Sequence, residues 1–157
     1  MGGRWWLGLL LLGASLGIPV QAGLKDNSYE GDIFVIYGGN GYIASPRTTL
    51  EQSLERGQPV MLLFYVNDSK DCKAYAPAVS RLQVEFEREV NFIALNVDGL
   101  PELPKTEAQR YFKGQVPYTV LIDRTGKVLY QASGAKTYNE LRPLLKQVAQ
   151  KTAPPTP

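Results

Sequence analysis

An unbroken apolar run from Pro59 to Val66 meets a polar turn, Asn67-Asp68-Ser69-Lys70-Asp71, and the turn meets apolar residues at helical spacing. A continuous apolar run of this length is the pattern of a strand buried on both faces. Cys72, Tyr75, Val79, Leu82 and Phe86 then follow a 3-4-3-4 spacing, which is one side of a 3.6-residue helix. A strand covered on both sides and joined directly to a helix is one unit of a layered fold of sheet and helices. The only cysteine in the chain sits at that junction, where backbone N–H groups and the helix dipole favour negative charge. Pro77 falls inside the helical pattern, where it removes one backbone hydrogen bond and kinks the helix; the apolar face continues through it, so a single kinked helix is expected.

The rest of the chain supplies the remaining layers. Asp32 to Tyr37 is β-branched and aromatic and is stopped by Gly38-Gly39-Asn40-Gly41, which reads as a strand and a turn. Ser45-Pro46 reads as an N-cap and a first helical position, with Leu50 and Leu54 as the buried stripe up to Gly57. Asn91 to Val97 is a further strand, and Leu103 to Phe112 a short helix. Tyr118 to Asp123 and Lys127 to Gln131 form an antiparallel hairpin around Gly126. Leu141, Leu144, Leu145 and Val148 give a closing helix over Thr137 to Gln150. The expected order is β-α-β-α-β-α-β-β-α: an α/β fold with a central mixed sheet of about 4–5 strands and helices on both faces.

Arg4, the apolar run from Trp5 to Val20 and the small-residue pattern Val20-Gln21-Ala22 read as an export signal over residues 1–22. Cleavage after Ala22 is expected, with retention of residues 5–20 as a membrane anchor the alternative. The domain then covers residues 23–150, and the Pro-rich residues 151–157 read as a disordered tail. Arg4 is the one charge in the leader, so the body carries 16 basic against 15 acidic side chains. That balance gives no electrostatic case for nucleic acid. Both tryptophans lie in the leader, so the processed protein has tyrosine fluorescence alone. One cysteine allows no internal disulfide, and the absence of histidine removes the usual general base and the commonest zinc ligand. Neither cofactor nor metal is expected: Asp68 and Asp71, without further ligands, read as a solvated turn.

Element order and residues together resemble the thioredoxin-like family over about residues 45–150. Phe64-Tyr65-Val66 resembles the end of its central strand, and Cys72-Lys73 with Ala76-Pro77 is similar to the sequence after its active-site turn. Leu95-Asn96-Val97-Asp98 resembles the following strand. Val116-Pro117 resembles the cis-proline that borders the substrate groove, and Gly134 a glycine before the last helix. The resemblance implies a thioredoxin-like fold, with Cys72 and Ser69 at the catalytic positions and Val116, Pro117 and Tyr118 at the substrate-binding edge. The departures fall on the chemistry. Ser69-Lys70-Asp71-Cys72 stands where the family has Cys-x-x-Cys, Asp68 replaces an aromatic residue, Leu63 a buried acid and Tyr118 a small hydroxyl residue.

A dithiol enzyme needs one thiolate to attack and a second to resolve the mixed disulfide, and serine forms no S–S bond. Ser69 reads as a helix N-cap. Two functions follow, from different classes. One is an exported protein-binding or assembly module related to redox homeostasis, without dithiol turnover. The alternative is a monothiol oxidoreductase or isomerase-like protein that forms mixed disulfides through Cys72. Whether the chain is an enzyme stays open between them. Partners are expected to be proteins, and the location a periplasm or a thylakoid lumen. Tyr37 and Tyr42, on either side of the glycine turn, read as core residues or as an exposed contact patch.

Overall fold

A computed structural model describes residues 31–44, 46–102 and 106–150. The signal segment, Ser45, residues 103–105 and the Pro-rich tail therefore lie outside the described residues. Four strands form one sheet: β1 (Val60–Tyr65), β2 (Asn91–Asn96), β3 (Tyr118–Ile122) and β4 (Val128–Ser133), in the order β2-β1-β3-β4. β1 pairs parallel to β2 and antiparallel to β3, and β4 is the antiparallel edge. The parallel pair is joined by helix α4 (Lys70–Phe86), which runs unbroken through Pro77. The hairpin closes on Gly126, at φ +83°; there the Asp123 carboxylate accepts the backbone N–H groups of Thr125 and Lys127.

Alternation along β1 divides the core. Met61, Leu63 and Tyr65 face one layer, with Cys72, Tyr75, Val79 and Leu82 of α4 and with Leu141, Leu145 and Val148 of α5 (Tyr138–Gln150). Val60, Leu62 and Phe64 face the other layer with Leu50 of α3 (Leu50–Glu55), Ala108, Val120 and Ile122. β1 is buried at every position, as its unbroken apolar run requires. Residues Glu107–Tyr111 form a 3-10 turn in place of the expected short α-helix.

Two expectations fail at the N-terminal end. Residues 32–37 are not a strand: Ile33–Ile36 is a single helical turn, α1, followed by a second, α2 (Gly41–Ala44). The burial pattern shows why. Neighbours Ile33 and Phe34 are both buried while Val35 and Ile36 are 53% and 40% exposed; a buried pair followed by an exposed pair fits neither a strand covered on one face nor one covered on both, as β1 is. Asp32 caps the turn, its carboxylate accepting the Phe34 N–H at 2.8 Å. Similarly, α3 starts not at Pro46 but at Leu50. Thr49 is its N-cap, in a reciprocal capping box with Gln52, an arrangement that satisfies two otherwise unpaired backbone donors.

Candidate functional site

The C-terminal ends of β1 and β2, the start of α4 and the Val116–Pro117 turn lie at one end of the sheet. Ser69 is the N-cap of α4, its hydroxyl accepting the Cys72 N–H at 3.3 Å. That contact satisfies one of the four orphan donors of a helix start. Because the cap fixes the first turn, Cys72 is carried one turn inward. Its side chain is 1% exposed, inside the cluster that also holds Ile33, Phe34 and Tyr65. Lys73, beside it, is also buried; its ammonium lies 3.9 Å from Asp68 and 6.0 Å from the centre of the Tyr37 ring. Asp68 itself is almost wholly solvent-exposed.

Helix α1 packs against α4 in the same core layer as the thiol. The Tyr65 hydroxyl donates to Asp32, and Asn67 accepts the Ile33 N–H at 3.2 Å. Phe34 packs edge-on to Tyr65 at 4.9 Å between ring centres. Burial pushes the Tyr65 phenol well above its ordinary range, and the bond to the Asp32 carboxylate pushes it further. This packing was not legible in the sequence, where residues 32–37 read as a strand. Asp32 ahead of an apolar run was the signal that could have revealed it.

The Val116–Pro117 peptide bond is cis. It is held from behind by Gly134, whose N–H donates to the Pro117 carbonyl at 2.8 Å. At φ +80° Gly134 occupies a conformation that L side chains rarely adopt. Val116 packs against the cluster containing Cys72, so these two expected site residues share one end of the fold. Tyr118 does not join them. Its ring goes to the opposite layer, 6.4 Å from Phe64, and its hydroxyl donates to Gln131. Among the described residues, no group of three or more His, Cys, Asp or Glu side chains could hold a metal, and no helix is long and apolar enough to cross a membrane.

Residues 45–150 match the AhpC/TSA family. The chain belongs to that family, and its fold and relatives are thioredoxin-like. It is 41% identical over 130 residues to the Synechocystis thylakoid membrane protein slr1796, covering 81% of this chain and 65% of that protein. It is 34% identical over 85 residues to a Synechocystis homologue of the thiol:disulfide interchange protein TxlA, covering 54% and 46%. The chain thus spans less than two thirds of the length of either relative. Thioredoxin from Fasciola hepatica superposes with a TM-score of 0.52 at 28% identity, over 63% of this chain and 90% of that one.

Proposed function

We propose that this chain is an extracytoplasmic, thylakoid-associated thioredoxin-like protein that binds an extended protein segment beside Pro117 and performs no dithiol turnover. The observation that carries the reading is the burial of Cys72: the one thiol is 1% exposed within the core layer that α1 packs on, while the hydroxyl at the attacking position is engaged as a helix cap. Disulfide exchange requires an accessible thiolate and a second sulfur, and the site offers neither. The half-buried Val116 and the backbone beside it still border the fold's end, where an extended segment finds main-chain partners. Support for the location comes from the relative described as a thylakoid membrane protein and from the export signal read in residues 1–22. Residues 5–20 would supply any membrane attachment.

Native thiol labelling tests the reading. Cys72 is expected to stay unmodified in the folded protein and to react once denaturant is added, with no catalytic reduction of a model disulfide protein. Fast labelling of the folded protein would overturn the reading and favour mixed-disulfide chemistry through Cys72. For the partner, a photoreactive side chain at exposed Gln115, next to the cis bond, is expected to crosslink to a thylakoid protein. The same group at exposed Arg88, away from that end, is expected not to.

A further inference from the structure

A concavity opens at the opposite end of the sheet from Cys72, around the N-terminal ends of the parallel strands β1 and β2. Six-residue strands separate it from the Cys72 end by about 17 Å at roughly 3.3 Å per residue. It has a volume of about 450 Å³ and is walled by Tyr42, Arg47, Arg56, Gln58, Gln83 and Phe92, among others. This volume suits a small molecule.

The polar groups of this wall are biased in one direction. Asn91 donates its side-chain N–H groups to Ser53 Oγ at 2.9 Å and to Gln58 Oε1 at 3.0 Å. Asn40, buried, donates to Gln83 Oε1 at 2.7 Å. Both glutamines therefore have their carbonyl oxygens engaged, which leaves their NH₂ groups as the unfilled capacity. Arg47 lies over the Tyr42 ring, 4.5 Å from its centre, a contact that holds a guanidinium in place. Ion pairs among the described residues go to Lys73, Arg110 and Arg142, not to Arg47 or Arg56. Glu87 is the single acid of the wall. Two guanidiniums and two amide donors against one carboxylate, flanked by two aromatic rings, select an acceptor-rich anion with a flat apolar body.

We propose that this cavity is a binding site for a small organic anion carrying an oxyacid group, a carboxylate or a phosphate ester, on an aromatic or apolar body. Arg47 and Arg56 clamp the oxyacid, Gln58 and Gln83 donate to it, and Tyr42 and Phe92 flank the body. The site is remote from Cys72 and does not depend on the function proposed above.

The test is titration of the chain, as expressed and processed, with phenyl phosphate and with benzoate, followed through the side-chain amide NMR signals of Gln58 and Gln83. Saturable shifts with at least one probe are expected at low salt, weakening as salt is added. The tighter probe identifies the phosphate or the carboxylate as the natural group. Arg56→Gln and Gln83→Glu are each expected to weaken binding about tenfold or more. Arg88→Gln, which removes an exposed charge outside the cavity, is expected to leave it unchanged. Shifts that never saturate with either probe, or saturable binding that survives in the Arg47→Gln/Arg56→Gln double variant, would overturn the assignment.

Discussion

Tyr65 shows how one hydroxyl decides what a neighbouring thiol can do. It is buried at the end of β1, and its hydroxyl donates to the residue that caps α1, so it is one of the ties, with Asn67 and Phe34, that hold α1 in place. Tyr65→Phe removes it while keeping the ring against Phe34. A hydrogen bond to a charged acceptor contributes about 1.5–3 kcal/mol, so a loss at the lower end of that range is expected in denaturant unfolding. Labelling of Cys72 in the folded variant should also accelerate, because α1 opens more often; an unchanged rate would mean that α1 does not shield the thiol. The same phenol makes stability depend on alkaline pH. Burial raises Tyr65 and Tyr75 above their ordinary value of 10.0. A group raised in the folded state contributes fully below its unfolded value and loses that contribution as pH climbs past it. The contribution of these two tyrosines is therefore expected to be flat around and above neutral pH up to 10.0 and to fall above it. In Tyr65→Phe the alkaline fall should be shallower by up to about 1.4 kcal/mol per pH unit, one proton's worth. Equal slopes in the two proteins would show that Tyr65 is not responsible. From sequence, Tyr65 was legible as buried, but its partner 33 residues away was not, since nothing local ties a strand end to Asp32.

Elements were legible where one layer dictates their pattern and illegible where contacts between elements do. The inner face of α4 reads directly from spacing, and Cys72, Tyr75, Val79, Leu82 and Phe86 are all buried. Residues Ile33–Ile36 are as β-branched as any strand, yet they form a helical turn because burying Ile33 and Phe34 together against α4 outweighs propensity. The seam between α1 and α4 explains the glycine that follows. A Cβ on Gly38 would lie 2.1 Å from Ser80 Oγ and 2.8 Å from the Phe34 carbonyl oxygen. The second contact is with backbone and cannot swing away. Gly38→Ala is expected to cost about 1–3 kcal/mol, the usual range for overpacking, measured by chemical denaturation. Ser80 Oγ is buried with no hydrogen-bond partner among the described residues, so Ser80→Ala is expected to be neutral or stabilising. A marked loss in Ser80→Ala would mean that the hydroxyl has a partner in solution.

Over the whole molecule, the scaffold was legible and the chemistry only in part. The run through β1, the crossover helix and the late hairpin are sufficient to specify a mixed sheet covered on both faces. The site lay half in view: the Ser69-x-x-Cys72 spacing is local, whereas the docking of α1 and the turning of Tyr118 into the opposite layer arise from packing between distant segments. At the Cys72 end the thioredoxin-like frame carries Ser69 and Cys72 at the spacing of a Cys-x-x-Cys pair, with one sulfur in place of two. The structure places Ser69 half-buried at the mouth of the helix and Cys72 fully buried one turn inside it, an outer and an inner position in the order that attack and resolution require. Supplying the second sulfur therefore tests whether the frame itself supports the chemistry. Ser69→Cys is expected to form an intramolecular disulfide on mild oxidation, seen as the loss of two titratable thiols in the unfolded protein. It should also accelerate the reduction of insulin by dithiothreitol over the uncatalysed rate, which the natural sequence and Ser69→Cys/Cys72→Ser should not. Thiolate at position 69 would be favoured by the helix start and opposed by exposed Asp68 and Asp71, so Asp68→Asn in that background is expected to raise the rate. If Ser69→Cys instead keeps both thiols free under oxidation, the packing around Cys72 blocks disulfide closure, and a second sulfur alone would not complete the motif.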